Sequence, residues 1–254
     1  MRFCVLASGS HGNATYVEDT DGALLIDCGI TARQCMQRMQ ERNIDPATIK
    51  GIIITHEHND HIKGLPLLAA RLKIPVLTSP KTWAKLNLKA EFISLRSELE
   101  IEFAGFKLRP FNITHDACDP LALVLASGKQ QLGYCTDLGE ITSSVYDNLK
   151  NCSGVIIESN HQPALLARGP YPAWLKSRVA SPQGHLSNQE AMDLLESICT
   201  SNLQTVVAAH LSQVNNSPAL LRDLWQERIN KFIHKPDLYI AGQDTPLPII
   251  QLPA

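Results

Sequence analysis

The 254-residue sequence has little net charge, no long apolar run and no pair of cysteines in CxxC spacing. A formal net charge of −2 provides neither a strongly basic field for nucleic acid nor an acidic tail for a basic partner. No stretch approaches the roughly 20 apolar residues that a membrane helix needs. The apolar run near the N-terminus is also too short for a signal peptide. We therefore expect a cytoplasmic protein with no membrane partner.

The seven cysteines are an odd number, which does not favour a framework of disulfides. Free cysteine behaves as a small hydrophobic residue, and disulfides are rare in reducing compartments. We expect buried free thiols for the six cysteines that lie in or beside apolar segments: Cys4, Cys28, Cys118, Cys135, Cys152 and Cys199.

Short apolar or alternating runs bounded by turn residues predict most of the strands. They are expected at 3–7, 14–18, 23–27, 51–55, 74–78, 91–95, 100–113, 121–127, 131–137, 154–159, 205–210, 237–242 and 246–252. A helical period predicts helices at 31–43, 62–73, 187–200 and 217–229. Capping boxes support two of these helices, from Thr31 to Gln34 and from Ser187 to Glu190.

The order of these elements indicates the fold class. Each half of the chain is a strand-rich block followed by helices, which favours two sheets packed face to face with helices outside. We therefore expect an α/β protein with a four-layer αββα sandwich, and no doubly wound parallel sheet. A hydrophobic content of 44% supports a sizeable core, and no linker divides the chain, so a single domain over residues 1–254 is predicted.

The segment THEHNDH, residues 55–61, follows an apolar strand and concentrates metal-binding side chains. His56 and His58 alternate in an extended segment, so they point the same way and can hold one ion. Asp60 and His61 lie where the chain must turn and can face a second position. Imidazole and carboxylate ligands suit zinc, manganese or iron. The alternative is a solvated polar loop, which three histidines in six positions disfavour.

Further candidate ligands follow other predicted strands. Asp27, His115, Asp137 and His210 each come after an apolar run that would carry them to one rim of the sandwich. Taken alone, each is better explained as a hydrogen-bonded histidine or an aspartate in a turn than as a ligand. Taken together with the 55–61 segment, they favour a metal site.

These motifs resemble those of metallo-β-lactamase-fold hydrolases, whose hallmark is HxHxDH after a strand with outlying Asp, His, Asp and His. Within that superfamily the chain is similar to the YycJ/WalJ-type branch of exonucleases, which is related to ribonuclease Z. The similarity lies in LASGSHGNATYV, THEHNDHIKGL, FNITHDACDP, ESNH, LLARGPYPAWLKSRV and GHLSN. One difference is Gln162, where the branch usually has an acidic residue.

The resemblance implies two divalent ions, zinc or manganese, about 3.5–4 Å apart, which lower the pKa of a shared water and offset charge on a phosphate. It assigns His56, His58 and His115 to the first ion, Asp60, His61 and His210 to the second, and Asp137 to both. It also implies that Asp27 orients the 55–61 loop through hydrogen bonds. By the same resemblance, Asp60 and His185 are the candidate catalytic residues.

His185, in GHLSN, resembles the extra histidine of ribonuclease Z-like phosphodiesterases, which protonates the leaving oxygen or contacts the phosphate. The preceding glycine would let the backbone approach a ligand closely, and the alternative is a loop histidine near a helix start. Asn160 and His161 follow a predicted strand and could support the site at the rim. His11 and His234 are expected to be structural or solvent-exposed.

The segment GPYPAWLKSRV, residues 169–179, has two interpretations. Its aromatic and basic side chains suit a single-stranded nucleic-acid track, by base stacking and phosphate contact. Its periodicity instead favours an amphipathic segment in which Trp174 and Leu175 are buried while Lys176 and Arg178 remain in solvent.

Three functions are compatible with the motifs. The favoured one is a metal-dependent phosphodiesterase, an exonuclease that acts on DNA or RNA ends. The second is hydrolysis of small phosphodiesters such as cyclic nucleotides, and the third is a thioester or lactone hydrolase or a binding protein that retains metal. The stretch between Asp137 and His210 is too short for a large nucleic-acid-clamping domain, and the stretch between Asp137 and His185 leaves little room for a tRNA-grasping arm. DNA ends or short oligonucleotides are therefore preferred.

Overall fold

Two seven-stranded sheets form the centre of the protein in the computed structural model, which describes residues 1–253. The first sheet contains, in spatial order, β14 (Ile250–Gln251), β1 (Arg2–Ala7), β2 (Ala14–Asp19), β3 (Gly22–Ile26), β4 (Ile49–Ile53), β5 (Val76–Thr78) and β6 (Phe92–Ser94). The second contains β13 (Asp237–Ile240), β12 (Thr205–Ala209), β11 (Gly154–Glu158), β10 (Gln130–Cys135), β9 (Leu121–Ser127), β8 (Phe106–Asn112) and β7 (Ile101–Phe103).

Both sheets change from antiparallel to parallel pairing at the same relative place. In the first sheet β1, β2 and β3 pair antiparallel, and β3 to β6 pair parallel. In the second, β7 to β10 pair antiparallel and β10 to β13 pair parallel. Parallel strands need crossover connections, usually through helices, and their carboxyl ends meet at one rim of the sheet.

Helices supply most of these connections. They are α1 (Ala32–Glu41), α2 (Asn59–Ile62), α3 (Leu65–Leu72), α4 (Pro80–Leu86), α5 (Ser143–Leu149), α6 (Pro163–Arg168), α7 (Ala173–Val179), α8 (Asn188–Ile198) and α9 (Pro218–Ile229). Both predicted capping boxes are present, at Thr31 and Ser187. The sequence interpretation missed α2 and α4 to α7, because helices of four to seven residues show too little of the helical period.

Three layers of apolar side chains separate the four layers of secondary structure. The central layer joins the inner faces of the two sheets, with Leu24 and Ile26 from one sheet and Leu123 and Ile156 from the other. One outer layer packs the first sheet against α1 and α3. The other packs the second sheet against α5, α8 and α9, with Trp225 fully buried in it. The predicted αββα sandwich is therefore confirmed.

The cysteines are all free, but not all are buried. Cys4, Cys28, Cys135 and Cys152 are buried as predicted, and Cys199 is half-buried. The prediction for Cys118 is wrong: it is exposed. Its loop lies beyond the end of β8, where the Cys118 amide donates to Glu57 Oε1 at 2.8 Å and the segment has left the core.

None of the helices within residues 1–253 combines the length and the apolar character that crossing a membrane requires.

Candidate metal centre

Three candidate site residues occupy left-handed backbone at strand ends. Asp27 follows β3 with φ 60°, Asp137 follows β10 with φ 59°, and His210 follows β12 with φ 53°. Such backbone costs a non-glycine residue about 1–3 kcal/mol and persists only where the surroundings hold it. At each of these positions the chain turns at the end of its strand, and Asp137 and His210 belong to one group of candidate metal ligands.

His56, His58 and His115 form the first of two adjoining groups. One ligand atom from each lies within 4.8 Å of the others, as the alternation in the 55–61 segment predicts for His56 and His58. His115 Nδ1 donates to the carbonyl of Gly184 at 3.1 Å, so its Nε2 carries the lone pair. Thr55 Oγ1 donates to the Asp27 carboxylate and therefore accepts from His56 Nδ1 at 3.0 Å, which leaves His56 Nε2 as the ligand atom.

The second group contains Asp60, His61, Asp137 and His210, again with ligand atoms within 4.8 Å. Asp137 lies at its centre, with Oδ2 3.3 Å from His61 Nε2 and Oδ1 3.4 Å from His210 Nε2. Oδ1 is also 3.9 Å from His115 Nε2, an atom of the first group. Asp137 therefore connects the two groups, as a bridging ligand must.

Buried polar atoms test whether these residues fit metal ions. Among the residues that the structure describes, His56 Nε2, His210 Nε2 and Asp137 Oδ2 are buried without a hydrogen-bond partner. Leaving one such atom unsatisfied costs about 1–3 kcal/mol. One cation in each group would remove that cost, with Asp137 shared between them, and the imidazole and carboxylate donors suit zinc or manganese. The residues fit a divalent metal centre.

The electrostatics of the cluster agree with this fit. Burial lowers the pKa of His56, and repulsion from His61 lowers it further, so the imidazole is neutral as a metal ligand must be. Burial opposes the charge on Asp137, but attraction to His210 and His61 outweighs it and holds its pKa well below the usual range. The pKa of His210 is raised despite its burial, mainly by Asp137. The carboxylates therefore favour positive charge at this point, which a divalent cation supplies.

Asp27 supports the site through hydrogen bonds to His61 and Thr55. It is fully buried and accepts hydrogen bonds from His61 Nδ1 at 2.8 Å and from the Thr55 amide at 3.0 Å. The hydroxyl of Tyr134 also donates to it at 3.3 Å. The bond to His61 Nδ1 directs His61 Nε2 toward Asp137, in the carboxylate–histidine–metal arrangement common in metal sites.

The loop that carries Asp60 is fixed by close backbone packing. A Cβ atom on Gly29 would lie 1.5 Å from the carbonyl oxygen of Asp60, so only glycine fits there. The amide of Asn13 donates to the same carbonyl at 2.8 Å. The glycine-rich segment near residue 12 and the turn after Asp27 therefore hold the ligand loop in place.

Glu158 is a site residue that the sequence interpretation missed. It is fully buried at the end of β11, and its Oε1 accepts from both His185 Nδ1 and His210 Nδ1 at 2.8 Å. Its Oε2 accepts from the amides of Leu138 and Leu186. Burial raises the pKa of Glu158, but its attraction to His185 and its hydrogen bonds lower it more, so it stays ionised. The signal was present: an acidic residue closes an apolar strand at the same rim as the ligands.

His185 lies beside both groups of candidate ligands. Its ring centre is 5.2 Å from those of His115 and His210, and its side chain is 16% exposed. The bond from Nδ1 to Glu158 leaves Nε2 available to a substrate. A Cβ on the preceding Gly184 would lie 2.2 Å from the carbonyl oxygen of Arg178, so this glycine serves backbone packing against the end of α7. Glycine is therefore required at this position for backbone packing, and not for close approach of a ligand as the sequence suggested.

The remaining candidates lie around the cluster. Asn160 Nδ2 donates to the carbonyl of His210 at 2.8 Å and so supports that turn. His161 is buried, burial lowers its pKa, and its Nδ1 has no hydrogen-bond partner among residues 1–253. Gln162 precedes α6 and accepts from Asn188 Nδ2 at 3.2 Å. His11 and His234 are exposed, as expected.

Helix α7 borders the site, and one prediction for it is wrong. Trp174 is 68% exposed instead of buried, while Leu175 is half-buried. Arg178 Nε donates to Asp116 Oδ2 at 2.6 Å, and Asp116 Oδ1 is 3.3 Å from His115 Nε2. Asp116 is therefore a further carboxylate at the site that the sequence interpretation did not single out.

Comparisons with known proteins agree with this geometry. The family model described as beta-lactamase superfamily domain matches residues 23–210. Exodeoxyribonuclease YycJ of Bacillus anthracis is 31% identical over 228 residues, which cover 87% of this chain and 86% of that protein. Exodeoxyribonuclease WalJ of Streptococcus pneumoniae is 29% identical over 225 residues, which cover 85% and 83%.

Solved structures show the same fold at lower identity. The metallo-β-lactamase-fold protein YhfI of Bacillus subtilis superposes with a TM-score of 0.73 at 16% identity, over 97% of this chain and 98% of that one. The short form of human tRNase Z superposes with a TM-score of 0.69 at 15% identity, over the whole of both chains. Since the family match runs from β3 to His210 and spans every predicted ligand, the chain belongs to the β-lactamase superfamily, as a metal-dependent hydrolase related to YycJ and WalJ.

Proposed function

We propose that the chain is an exonuclease that hydrolyses phosphodiester bonds at nucleic-acid ends, with DNA preferred. The observation that carries this proposal is the position of His185, which lies beside both ligand groups and is held by Glu158. A protonated group is needed where an alkoxide leaves, and nucleotide leaving groups are alkoxides. Similarity to two exodeoxyribonucleases supports DNA as the substrate.

Two metal ions, zinc or manganese, are part of the proposal. The first would be held by His56, His58 and His115, the second by Asp60, His61 and His210, and both by Asp137. When bound, such ions lower the pKa of a water molecule and offset the negative charge that develops on phosphorus.

The chain's own groups orient these ligands and move the proton. Asp27 holds His61, and Glu158 holds His210, each through the Nδ1 proton of the ring. Glu158 also accepts from His185 Nδ1, which fixes the orientation of that ring. His185 Nε2 can then give its proton to the departing oxygen. Burial opposes ionisation of Asp60, but hydrogen bonds to His210 and His61 lower its pKa strongly and keep it a carboxylate for binding metal.

A single domain over residues 1–254 and a cytoplasmic location complete the proposal. The single domain is supported by the central apolar layer, to which both halves of the chain contribute.

The test uses purified protein loaded with zinc or manganese and end-labelled oligonucleotides, single- and double-stranded, of DNA and RNA. We expect stepwise loss of nucleotides from linear DNA, whereas a covalently closed circle of the same sequence stays intact. Asp137→Ala is the matched control, because it removes the connection between the two groups. Hydrolysis of cyclic nucleotides or a thioester, with all oligonucleotides left intact, would refute the proposal.

A further inference from the structure

The segment around α6 and α7 carries cations but no acidic residue. The whole sequence contains 25 acidic residues, yet residues 159–189 contain no Asp or Glu. The same stretch carries three cations, Arg168, Lys176 and Arg178. The segment itself is positively charged in a protein of net charge −2, and positive charge on the surface attracts a polyanion.

The carboxyl end of α7 is fixed against the metal centre. The amide of His185 donates to the carbonyl of Val179 at 2.9 Å, which joins the last turn of α7 to the predicted proton donor. Arg178 is joined to the site by its bond to Asp116, which lies beside His115. A ligand that lies along α7 therefore continues directly into the catalytic region.

Trp174 is the exposed tryptophan of this helix. Its 68% exposure contrasts with the complete burial of Trp225. Trp83 stacks on Phe92 with ring centres 4.7 Å apart. Trp174 and Arg178 are four residues apart, so they share one face of α7 and are separated along its axis by about one turn of 5.4 Å.

The neighbouring cations differ in availability. Lys176 Nζ donates to the carbonyl of Ala167 at 2.7 Å and so joins α7 to the last turn of α6. Arg178 is paired with Asp116 but remains partly exposed, with 46% of its side chain accessible. The accessible features of this face are therefore an indole ring and, one turn nearer the metal centre, a guanidinium group.

We propose that Trp174 stacks on an unpaired base of the substrate, while Arg178 faces the phosphate on the metal side of that base. An indole face binds any base by stacking, and a nearby cation serves the phosphate that every nucleotide carries. This inference rests on the proposed nuclease function and makes it more specific: the strand that enters the site is single-stranded at its end. It replaces the interpretation in which Trp174 belongs to the core.

Fluorescence tests the stacking without depending on turnover. The full-length, zinc-loaded protein is titrated with phosphorothioate oligothymidylate, chosen because it resists hydrolysis. Stacking should quench the emission of Trp174, and an oligonucleotide of the same length without bases should not quench it. Trp174→Phe should lose the quenching but bind more tightly than Trp174→Ala. Tyr146→Ala, which removes an exposed aromatic ring from α5, is the matched control and should behave like wild type.

Kinetics provide the second measurement. Stacking contributes enough that Trp174→Ala should raise KM for a single-stranded oligonucleotide about 5- to 100-fold. Hydrolysis of bis-p-nitrophenyl phosphate, which has no base, should be unchanged. Equal losses on both substrates, or unchanged quenching and KM, would overturn the proposal. If wild type hydrolyses no phosphodiester, the proposed function fails instead, and the titration still reports whether Trp174 binds bases.

Discussion

Asp27 and Asp137 occupy corresponding places in the two sheets but have different surroundings. Each follows the strand at which its sheet changes from antiparallel to parallel pairing, and their φ angles are 60° and 59°. Asp27 is enclosed by Thr55, His61 and Tyr134 and acts through His61. Asp137 instead faces histidines of both ligand groups. The same backbone turn thus carries a supporting aspartate in the first half and an aspartate that is a candidate ligand in the second.

The next strand in each sheet extends this comparison. After β4, the first half places His56, His58, Asp60 and His61 within one short segment. At the end of β11, the second half places Glu158, which accepts hydrogen bonds from His185 Nδ1 and from His210 Nδ1 of the second group. The first half therefore concentrates its candidate ligands in one segment, whereas the second half contributes His115, Asp137 and His210 from separate strand ends. It also contributes Glu158, which bonds to His185.

Asp137→Ala should have the largest effect, and it tests whether Asp137 binds metal. The substitution removes the carboxylate between the two groups, so repulsion between two bound cations would go uncompensated. We expect loss of bound metal, measured by elemental analysis, and loss of all measurable hydrolysis, measured with bis-p-nitrophenyl phosphate. Near-normal metal content and turnover would reduce Asp137 to a turn residue like many others.

His185→Ala should have the next largest effect and tests the function assigned to the second half. A positioned general acid contributes about 10²–10⁴-fold to rate, so oligonucleotide hydrolysis should fall by that factor. p-Nitrophenolate needs less protonation, and the loss on bis-p-nitrophenyl phosphate should be distinctly smaller. Metal content serves as the control and should not change. Equal losses on both substrates would indicate phosphate binding by His185 instead of proton transfer.

Asp27→Asn should have a smaller effect and separates support from ligation. The amide keeps the shape but weakens the bond to His61 Nδ1, and such outer partners typically change metal affinity about 10–100-fold. We expect weaker zinc binding in competition with a chromophoric chelator, with full occupancy and substantial turnover regained at excess zinc. If excess zinc restores neither occupancy nor turnover, Asp27 is as essential to the centre as Asp137, and the distinction between support and ligand is wrong.

His161→Ala should have the smallest effect on the centre. The His161 ring makes no hydrogen bond through Nδ1 to any described residue, and His161 belongs to neither ligand group. We expect unchanged metal content and a cost of about 0.5–3 kcal/mol in the free energy of unfolding, because a buried side chain is truncated. Urea unfolding and elemental analysis together measure this. A loss of metal comparable to that of Asp27→Asn would place His161 among the supports of the site.

Local pattern determined a large part of this structure. The strand runs, the capping boxes at Thr31 and Ser187, and the alternation of His56 and His58 depend on neighbours within a few residues, so they are visible in the sequence. The sequence does not predict the short helices α4 to α7 because each contains fewer than two turns. Their positions depend on packing against the sheets more than on their own periodicity.

The tertiary structure alone decided the contacts of Glu158 and the exposure of Trp174. Glu158 bonds to His185 and His210, which lie 27 and 52 residues further along the chain, and no local pattern encodes that meeting. Trp174 has a core-like sequence context, but no layer of the sandwich covers its ring. The sequence by itself determined which side chains reach the rim, because strand ends and turns are local. Which of these side chains contact one another at the rim is known only from the folded chain. The contacts join segments far apart in sequence, and that separation carries no information about their distance in space.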